Sequence, residues 1–466
     1  MKSKNLQKGF DYMKNTYRQE YHLMPETGFL NDPNGLCYYN GEYHIFHQYA
    51  PQGLSAQRGW GHYTTKDFVN YNNYGMVIYP DSVWDKNGSY SGSALIDDGE
   101  MELFYTGNVK QPGNHDYTLS GREQNLIYMS SKDGVNFSEK ELLMTNDDYP
   151  ENCSCHVRDP KVWKEGENLY KMILGARTRD DRGEALVYKS SDKKHWTLDK
   201  VYTKPQLGYM WECPDFFELE GKTFLCCCPQ GVEPKGIECQ NIYQSGYMIV
   251  EGDELSEFVE FDRGFDFYAP QTFLAPDGRR IIIGWFGLPD VPYKNPTEET
   301  ENWIHCLTIP RTLEFKDNKI WQEPIAELEK LRTDEISLSL EPGKINILPK
   351  VQCEAFINFK DKTDSFDISI RKDINISLKD GVFTLKIGDS GKGRTERSCK
   401  VDKTDSVRIF SDTSSIEIFV NGEVFSSRIY EEKDNSEDFT VVLNSSSQGC
   451  DLAYYILRPF EITKIS

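Results

Sequence analysis

Short apolar runs separated by polar turns recur through the first two-thirds of the chain. YHIFHQ (43–48), MELFYTG (101–107), LYKMILG (169–175), TFLCCCP (223–229) and RIIIGWF (280–286) are all β-rich. They follow the turns NGE, DDGE, EGEN, EGK and PDGR. Apolar runs of this length between turn signals read as buried strands. Their starts step by 58, 68, 54 and 57 residues. A second echo keeps step with the first three: YTTKDFVNY (63–71), YMSSKDGVNF (128–137) and YKSSDKKHW (188–196). Each is a strand, a polar corner and then an aromatic. One repeat is thus an inner strand, a turn, a second strand, a loop and a third strand. Five such units without a long helical pattern predict a five-bladed β-propeller, with a β-sandwich of accidental periodicity as the alternative.

The pattern changes after IPRTLEF (309–315). WQEPIAELEKL spaces Ile325, Leu328 and Leu331 three apart behind Pro324, which predicts one short helix. Beyond it come shorter, more charged strands, and Asn421-Gly422 between alternating runs marks a tight hairpin. The expected division is a propeller over 1–322, a linker with a short helix over 323–335 and an antiparallel β-sandwich over 336–466. Gly388-Asp389-Ser390-Gly391 in the sandwich resembles a serine-nucleophile loop, but no suitable histidine accompanies it.

In a propeller the first strand of every blade lines a central channel. Just before each second strand sits a polar island: Asn31-Asp32, Ser91-Gly92-Ser93, Arg158-Asp159-Pro160, Glu212-Cys213-Pro214-Asp215 and Asp266-Phe267-Tyr268-Ala269-Pro270. Asp32 alone, inside GFLNDPNG, reads as turn punctuation. Its recurrence in phase with Asp159 and Glu212 predicts instead that acids distant in sequence meet at one mouth.

Composition narrows the chemistry. With 53 Lys and Arg against 74 Asp and Glu, the net charge of −21 disfavours nucleic acid and anionic membranes as partners. Aromatic residues, 13% of the chain, suit sugar-stacking surfaces. Cys226, Cys227 and Cys228 are consecutive and cannot share one disulfide framework. The N-terminus lacks an apolar signal core, and no apolar run approaches ~20 residues. A reducing cytoplasm is the expected location. Cys153-Ser154-Cys155-His156 lacks the second ligand pair of a zinc site, so neither metal nor cofactor is expected.

A pocket of several acids, with no metal motif and no nucleophile–histidine pair, points to glycosidic bond cleavage, which needs one ionised and one protonated carboxyl. Asp32, in a loop rich in N–H groups, is expected to stay charged as the nucleophile. Glu212 lies in the apolar, aromatic Met210-Trp211-Glu212-Cys213-Pro214 and suits the general acid. Asp159 suits a contact to ring hydroxyls, while adjacent strand residues point apart and disfavour a direct pair with Arg158. An inverting propeller hydrolase acting on arabinose- or xylose-containing chains, and a non-catalytic carbohydrate-binding propeller, are the rival readings.

NDPNG, FHQY, WGHYTTKD, SGSA, FYTG, RDPK, WECPD and FYAPQ occur in this order, from Tyr21-His22-Leu23-Met24-Pro25 to the Glu417–Gly422 hairpin. In this the chain resembles glycoside hydrolase family 32, the β-fructofuranosidases, over nearly its whole length. The resemblance implies a retaining mechanism with Asp32 as nucleophile, Glu212 as acid/base and Asp159 as transition-state stabiliser. It implies fructosyl contacts from Asn31, Gln48, Trp60, Tyr90, Ser91 and Arg158, with Asp266 and Trp285 on later blades. Phe29-Leu30 replaces the family's frequent Trp-Met, and APQGLSAQRGWGH replaces a frequent Asn-Pro on the leaving-group side. The expected substrate is intracellular sucrose or sucrose 6-phosphate, with fructan hydrolysis or fructosyl transfer as alternatives. The overall charge does not favour an anionic substrate; only a local cation such as Arg58 or Lys294 could.

Overall fold

The computed structural model describes residues 17–432 and 438–465. Five antiparallel sheets follow one another in the chain. Their inner strands are Gly28–Tyr39, Ser89–Asp97, Cys153–Gly166, Met210–Leu219 and Tyr268–Leu274. Each packs against the next, and the fifth packs against the first, so the ring closes as a five-bladed propeller. The apolar runs seen in the sequence are the second strands: Glu42–Ala50, Glu100–Lys110, Leu169–Thr178, Lys222–Gln230 and Arg280–Phe286. They are buried because both faces of a middle strand lie against neighbouring blades.

The second region is a sandwich of two six-stranded antiparallel sheets. Ile368, Ile376 and Leu385 of one sheet meet Ile357, Ile409 and Ile418 of the other in a single core, all fully buried. Each such side chain contributes about 1.5–3 kcal/mol. The apolar triad after Pro324 forms a short 3₁₀ helix, Ala326–Leu331, whose Leu328 and Leu331 are buried between the two regions. Pairing also crosses between them: Glu461–Lys464, after the last sandwich strand, runs parallel to Asn70–Ile78 of blade 1.

Charges buried at this junction are paired, as their desolvation requires. Arg311, fully buried, bonds Asp262 at 3.0 Å and also Glu417. His22 lies between Asp412 (2.8 Å) and Glu417 (3.0 Å). Ser390 of the serine-nucleophile-like loop donates its hydroxyl to Asp373 (2.6 Å) in a 3₁₀ turn of the sandwich.

Candidate active site

The five polar islands owe their position to one repeated irregularity. Every inner strand slips register against its second strand at the same depth: at Leu30/Pro33, Ser89/Gly92, Arg158/Lys161, Glu212/Asp215 and Tyr268/Gln271. Such a bulge leaves residues unpaired and re-aims their side chains. Four of the five carry proline there (Pro33, Pro160, Pro214 and Pro270), which leaves the ladder without an unmet N–H. The residues before three of them, Asp159, Cys213 and Ala269, have φ of 64°, 45° and 46°. Left-handed backbone at non-glycine residues costs on the order of 1–3 kcal/mol each and persists only where packing enforces it.

Hydrogen bonds stitch the bulges into an annulus. Thr106 of blade 2 accepts from Asp159 N at 2.9 Å, and Asp159 accepts from Cys213 N of blade 4 at 3.0 Å. Asp215 accepts from Thr272 N of blade 5 at 2.7 Å, and Gln271 donates to the Gly92 carbonyl of blade 2 at 2.8 Å. Glycine permits the closest approach: a Cβ on Gly175 would lie 1.9 Å from the Trp211 carbonyl oxygen, next to Glu212.

The annulus opens into a cavity of about 400 Å³. Asp32, Asp159, Glu212, Asn31, Gln48, Tyr90, Ser91, Arg158 and Trp285 all line it, together with Arg58. Asp32 accepts from Ser91 Oγ at 2.5 Å and from Asn31 Nδ2 at 2.9 Å. Gln48 holds both donors, giving to Ser91 Oγ and accepting from Asn31, each at 2.8 Å. Trp60 does not line the cavity. It is fully buried and acts through its neighbour, donating Nε1 to the Tyr90 carbonyl at 2.9 Å.

Glu212 is not in apolar surroundings, contrary to what its sequence context suggests. It accepts from Arg158 Nη2 (2.5 Å), Tyr268 Oη (2.6 Å) and Gln230 Nε2 (2.8 Å). The alternation that would turn Arg158 away from Asp159 fails at the bulge, so both face the cavity, with Nε 3.8 Å from Oδ2. Burial would lower the Arg158 pKa, but Glu212 and Asp159 carry it above its ordinary value. His156 accepts from Arg158 Nη1 at 2.7 Å; burial and the Arg158 charge push its pKa down to about 2, so it acts as a neutral prop.

Two opposing effects act on the Asp32 carboxyl. Burial raises its pKa, and the bonds from Ser91 and Asn31 offset that only in part. Asp159 is raised further, to about 7, by burial and by the charges of Glu212 and Asp32, against the pull of Arg158 and the Cys213 N–H. The Cys213 thiol lies 3.7 Å from both Asp32 and Asp159 and bridges the two carboxylates.

Asp266 falls outside this cavity. The bulge of blade 5 begins at Tyr268, two residues later than the spacing suggested, so Asp266 precedes the inner strand and turns to the sandwich. There it bonds Arg394, the Arg428 N–H (2.8 Å) and the Tyr293 hydroxyl (2.9 Å). Lys294 is exposed and pairs with Glu299 at 2.9 Å. Arg122, Gln230 and Tyr268 line the cavity without having been singled out. Tyr268 stood inside FYAPQ, one bulge in phase with Glu212; Arg122 and Gln230 lie at a strand start and a strand end that carried no motif.

The chain matches the N-terminal domain of glycosyl hydrolases family 32 over residues 22–324 and the C-terminal domain of the same family over 327–453. It belongs to glycosyl hydrolase family 32. It is 39% identical over 445 residues to a sucrose-6-phosphate hydrolase of Bacillus subtilis, covering 90% of each chain. It is 35% identical over 455 residues to a raffinose invertase of Escherichia coli, covering 91% of each. Among solved structures, a sucrose-6-phosphate hydrolase from Lactobacillus gasseri superposes with a TM-score of 0.85 at 29% identity, covering 96% of this chain and 94% of that one. A family 32 β-fructofuranosidase of Bombyx mori, solved in complex with sucrose, superposes with a TM-score of 0.83 at 30% identity, covering 97% and 95%. The propeller-then-sandwich order of this family 32 chain is the one its sequence pattern predicted.

Proposed function

We propose that this chain is a retaining β-fructofuranosidase that cleaves the fructosyl bond of sucrose or of sucrose 6-phosphate. The observation that carries the reading is the meeting of Asp32, Asp159 and Glu212, from blades 1, 3 and 4 and far apart in sequence, around one cavity and bridged by Cys213 and Arg158. Its volume lies in the ~300–1,000 Å³ range of small-ligand pockets. Asp32 attacks the anomeric carbon while Glu212 gives its proton to the glycosidic oxygen; Glu212 then takes a proton from the water that releases fructose. Asp159 accepts hydrogen bonds from fructosyl hydroxyls, which strengthen as positive charge develops on the ring. Twelve cysteines, all thiols, support a reducing cytoplasm as its location.

The test is fructose release from sucrose, sucrose 6-phosphate, inulin and levan, compared as kcat/KM. Asp32→Asn and Glu212→Ala each lose more than about 3 kcal/mol of transition-state stabilisation, roughly 150-fold or more in rate. Fructose is released first as the β anomer. Near-normal turnover by either folded variant refutes the assignment.

A further inference from the structure

We infer that Arg394 of the sandwich is a positioning residue for the active site of the propeller: acting through Asp266 and Tyr293, it fixes the segment 288–293, which walls the cavity on the side where the leaving sugar departs. The inference rests on the fructosidase reading and adds to it a residue from outside the propeller.

The serine-nucleophile-like loop Gly388-Asp389-Ser390-Gly391 is what delivers Arg394. Asp373 accepts from both the N–H (2.7 Å) and the hydroxyl (2.6 Å) of Ser390, and the Ser390 carbonyl accepts from Tyr430 N at 2.9 Å. The chain turns back at Gly393, with a φ of 96° that glycine takes without strain. Arg394 then reaches the propeller with all three nitrogens of its guanidinium engaged. Nε donates to the Gly391 carbonyl (2.8 Å), Nη2 to the Arg428 carbonyl (2.7 Å) and Nη1 to Asp266. A planar fork held at three points cannot rotate, so it sets the direction of its carboxylate partner.

Asp266 is fully buried, and its two oxygens divide their partners. Oδ2 accepts from Arg394 and from the Arg428 N–H (2.8 Å), both of the sandwich, while Oδ1 accepts from the Tyr293 hydroxyl at 2.9 Å. The Arg394 guanidinium also lies 4.5 Å from the Tyr293 ring centroid. A buried ion pair often stabilises no better than apolar side chains of the same volume; what this one supplies is direction.

Tyr293 ends an irregular segment that follows the strand Arg280–Phe286. The other end of that segment is anchored at the cavity. Leu288 and Val291 pack in the cluster of Cys213, Tyr268 and Trp285, and Asp290 accepts from the Tyr243 hydroxyl at 3.0 Å. Pro289 and Asp290, between the anchors, line the cavity. They stand on the side of Glu212, because Tyr243 packs 6.2 Å from Tyr268 and Tyr268 donates to Glu212. In the proposed reaction Glu212 protonates the departing oxygen, and the fructosyl ring sits on the buried floor of Asn31, Gln48, Ser91 and Asp159. Pro289 is half-buried and Asp290 exposed above that floor, so what they meet is the leaving sugar.

The experiment compares kcat/KM for sucrose and for β-D-fructofuranosyl fluoride, whose leaving group is a single atom, in the parent, Tyr293→Phe and Arg394→Met. The ratio of the two is read within each protein, so loss of folded enzyme cancels. In both variants the sucrose value falls about tenfold, through KM and not kcat, while the fluoride value stays within about twofold of the parent's. The double variant falls no further than Arg394→Met, since both residues act through one carboxylate. Arg394→Lys, which keeps the charge without the fork, lies between Arg394→Met and the parent. A purely architectural ion pair lowers the melting temperature and both kcat/KM values together. A sucrose-to-fluoride ratio within about twofold of the parent's in Tyr293→Phe, which keeps the ring and leaves Asp266 its sandwich partners, therefore overturns the inference. A parent that releases fructose from neither compound overturns the fructosidase reading itself, and the inference with it.

Discussion

The Tyr268 hydroxyl of blade 5 donates a 2.6 Å hydrogen bond to Glu212 Oε2 of blade 4. The acid is thus oriented from a neighbouring blade, on the oxygen opposite the one that meets Arg158. Tyr268→Phe keeps the ring and removes this bond. A bond to a charged group is worth about 1.5–3 kcal/mol, so kcat falls roughly 10- to 100-fold while KM stays within about threefold. Steady-state kinetics check this; a kcat within threefold of the parent would show that Arg158 and Gln230 suffice to hold Glu212.

Asp159 couples the site to stability. Its folded pKa is raised to about 7 from an ordinary 3.8. A carboxyl raised in this way stabilises the fold fully below the unfolded pKa, and that contribution is lost as pH rises through the folded pKa. Asp159→Asn, which can still accept from Cys213 N, is therefore expected to melt at a higher temperature than the parent at pH 8. The gap should close as pH falls below about 4, where the parent residue is protonated in both states. Calorimetry across pH 4–8 reads both ends, and the stabilised variant should be a poor catalyst.

His22 gives a pH dependence of the same sign at the propeller–sandwich junction, but from a cation. Burial alone would lower its pKa, but bonds to Asp412 and Glu417 more than offset that and raise it above 6.5. Its contribution is complete below 6.5 and disappears as pH rises through the raised value. The parent should lose stability as pH rises from 6.5 through that raised value. His22→Gln should lack that slope and be destabilised by about 3–5 kcal/mol at pH 6, because two carboxylates lose a buried partner. Denaturant unfolding at pH 6 and pH 9 separates the two terms.

Gly175 tests the close approach of blades 3 and 4. An alanine Cβ there meets the Trp211 carbonyl at 1.9 Å, so one of the two strands must move. Overpacking of this kind costs about 1–3 kcal/mol. Gly175→Ala should lower the melting temperature and, by displacing the backbone beside Glu212, lower kcat. Unchanged kcat in a destabilised variant would mean that blade 3 yields and the Glu212 bulge stays in place.

Strand order, the number of blades and the meeting of Asp32, Asp159 and Glu212 were readable along the chain, because a repeating blade converts sequence spacing into angular position. The apolar run from Leu169 to Gly175 and the hairpin at Asn421-Gly422 needed no more than local pattern. What neighbours do to each other was beyond that reach. Whether Arg158 faces Asp159 depends on a left-handed residue in a bulge, whether Asp266 reaches the cavity depends on a two-residue shift of phase, and whether Glu212 sits among apolar or polar groups depends on Tyr268 and Gln230 arriving from other strands. Spacing carries no information on these points: the backbone reverses side-chain direction at each bulge, and the partners of a buried charge come from whichever strands packing brings within about 3 Å.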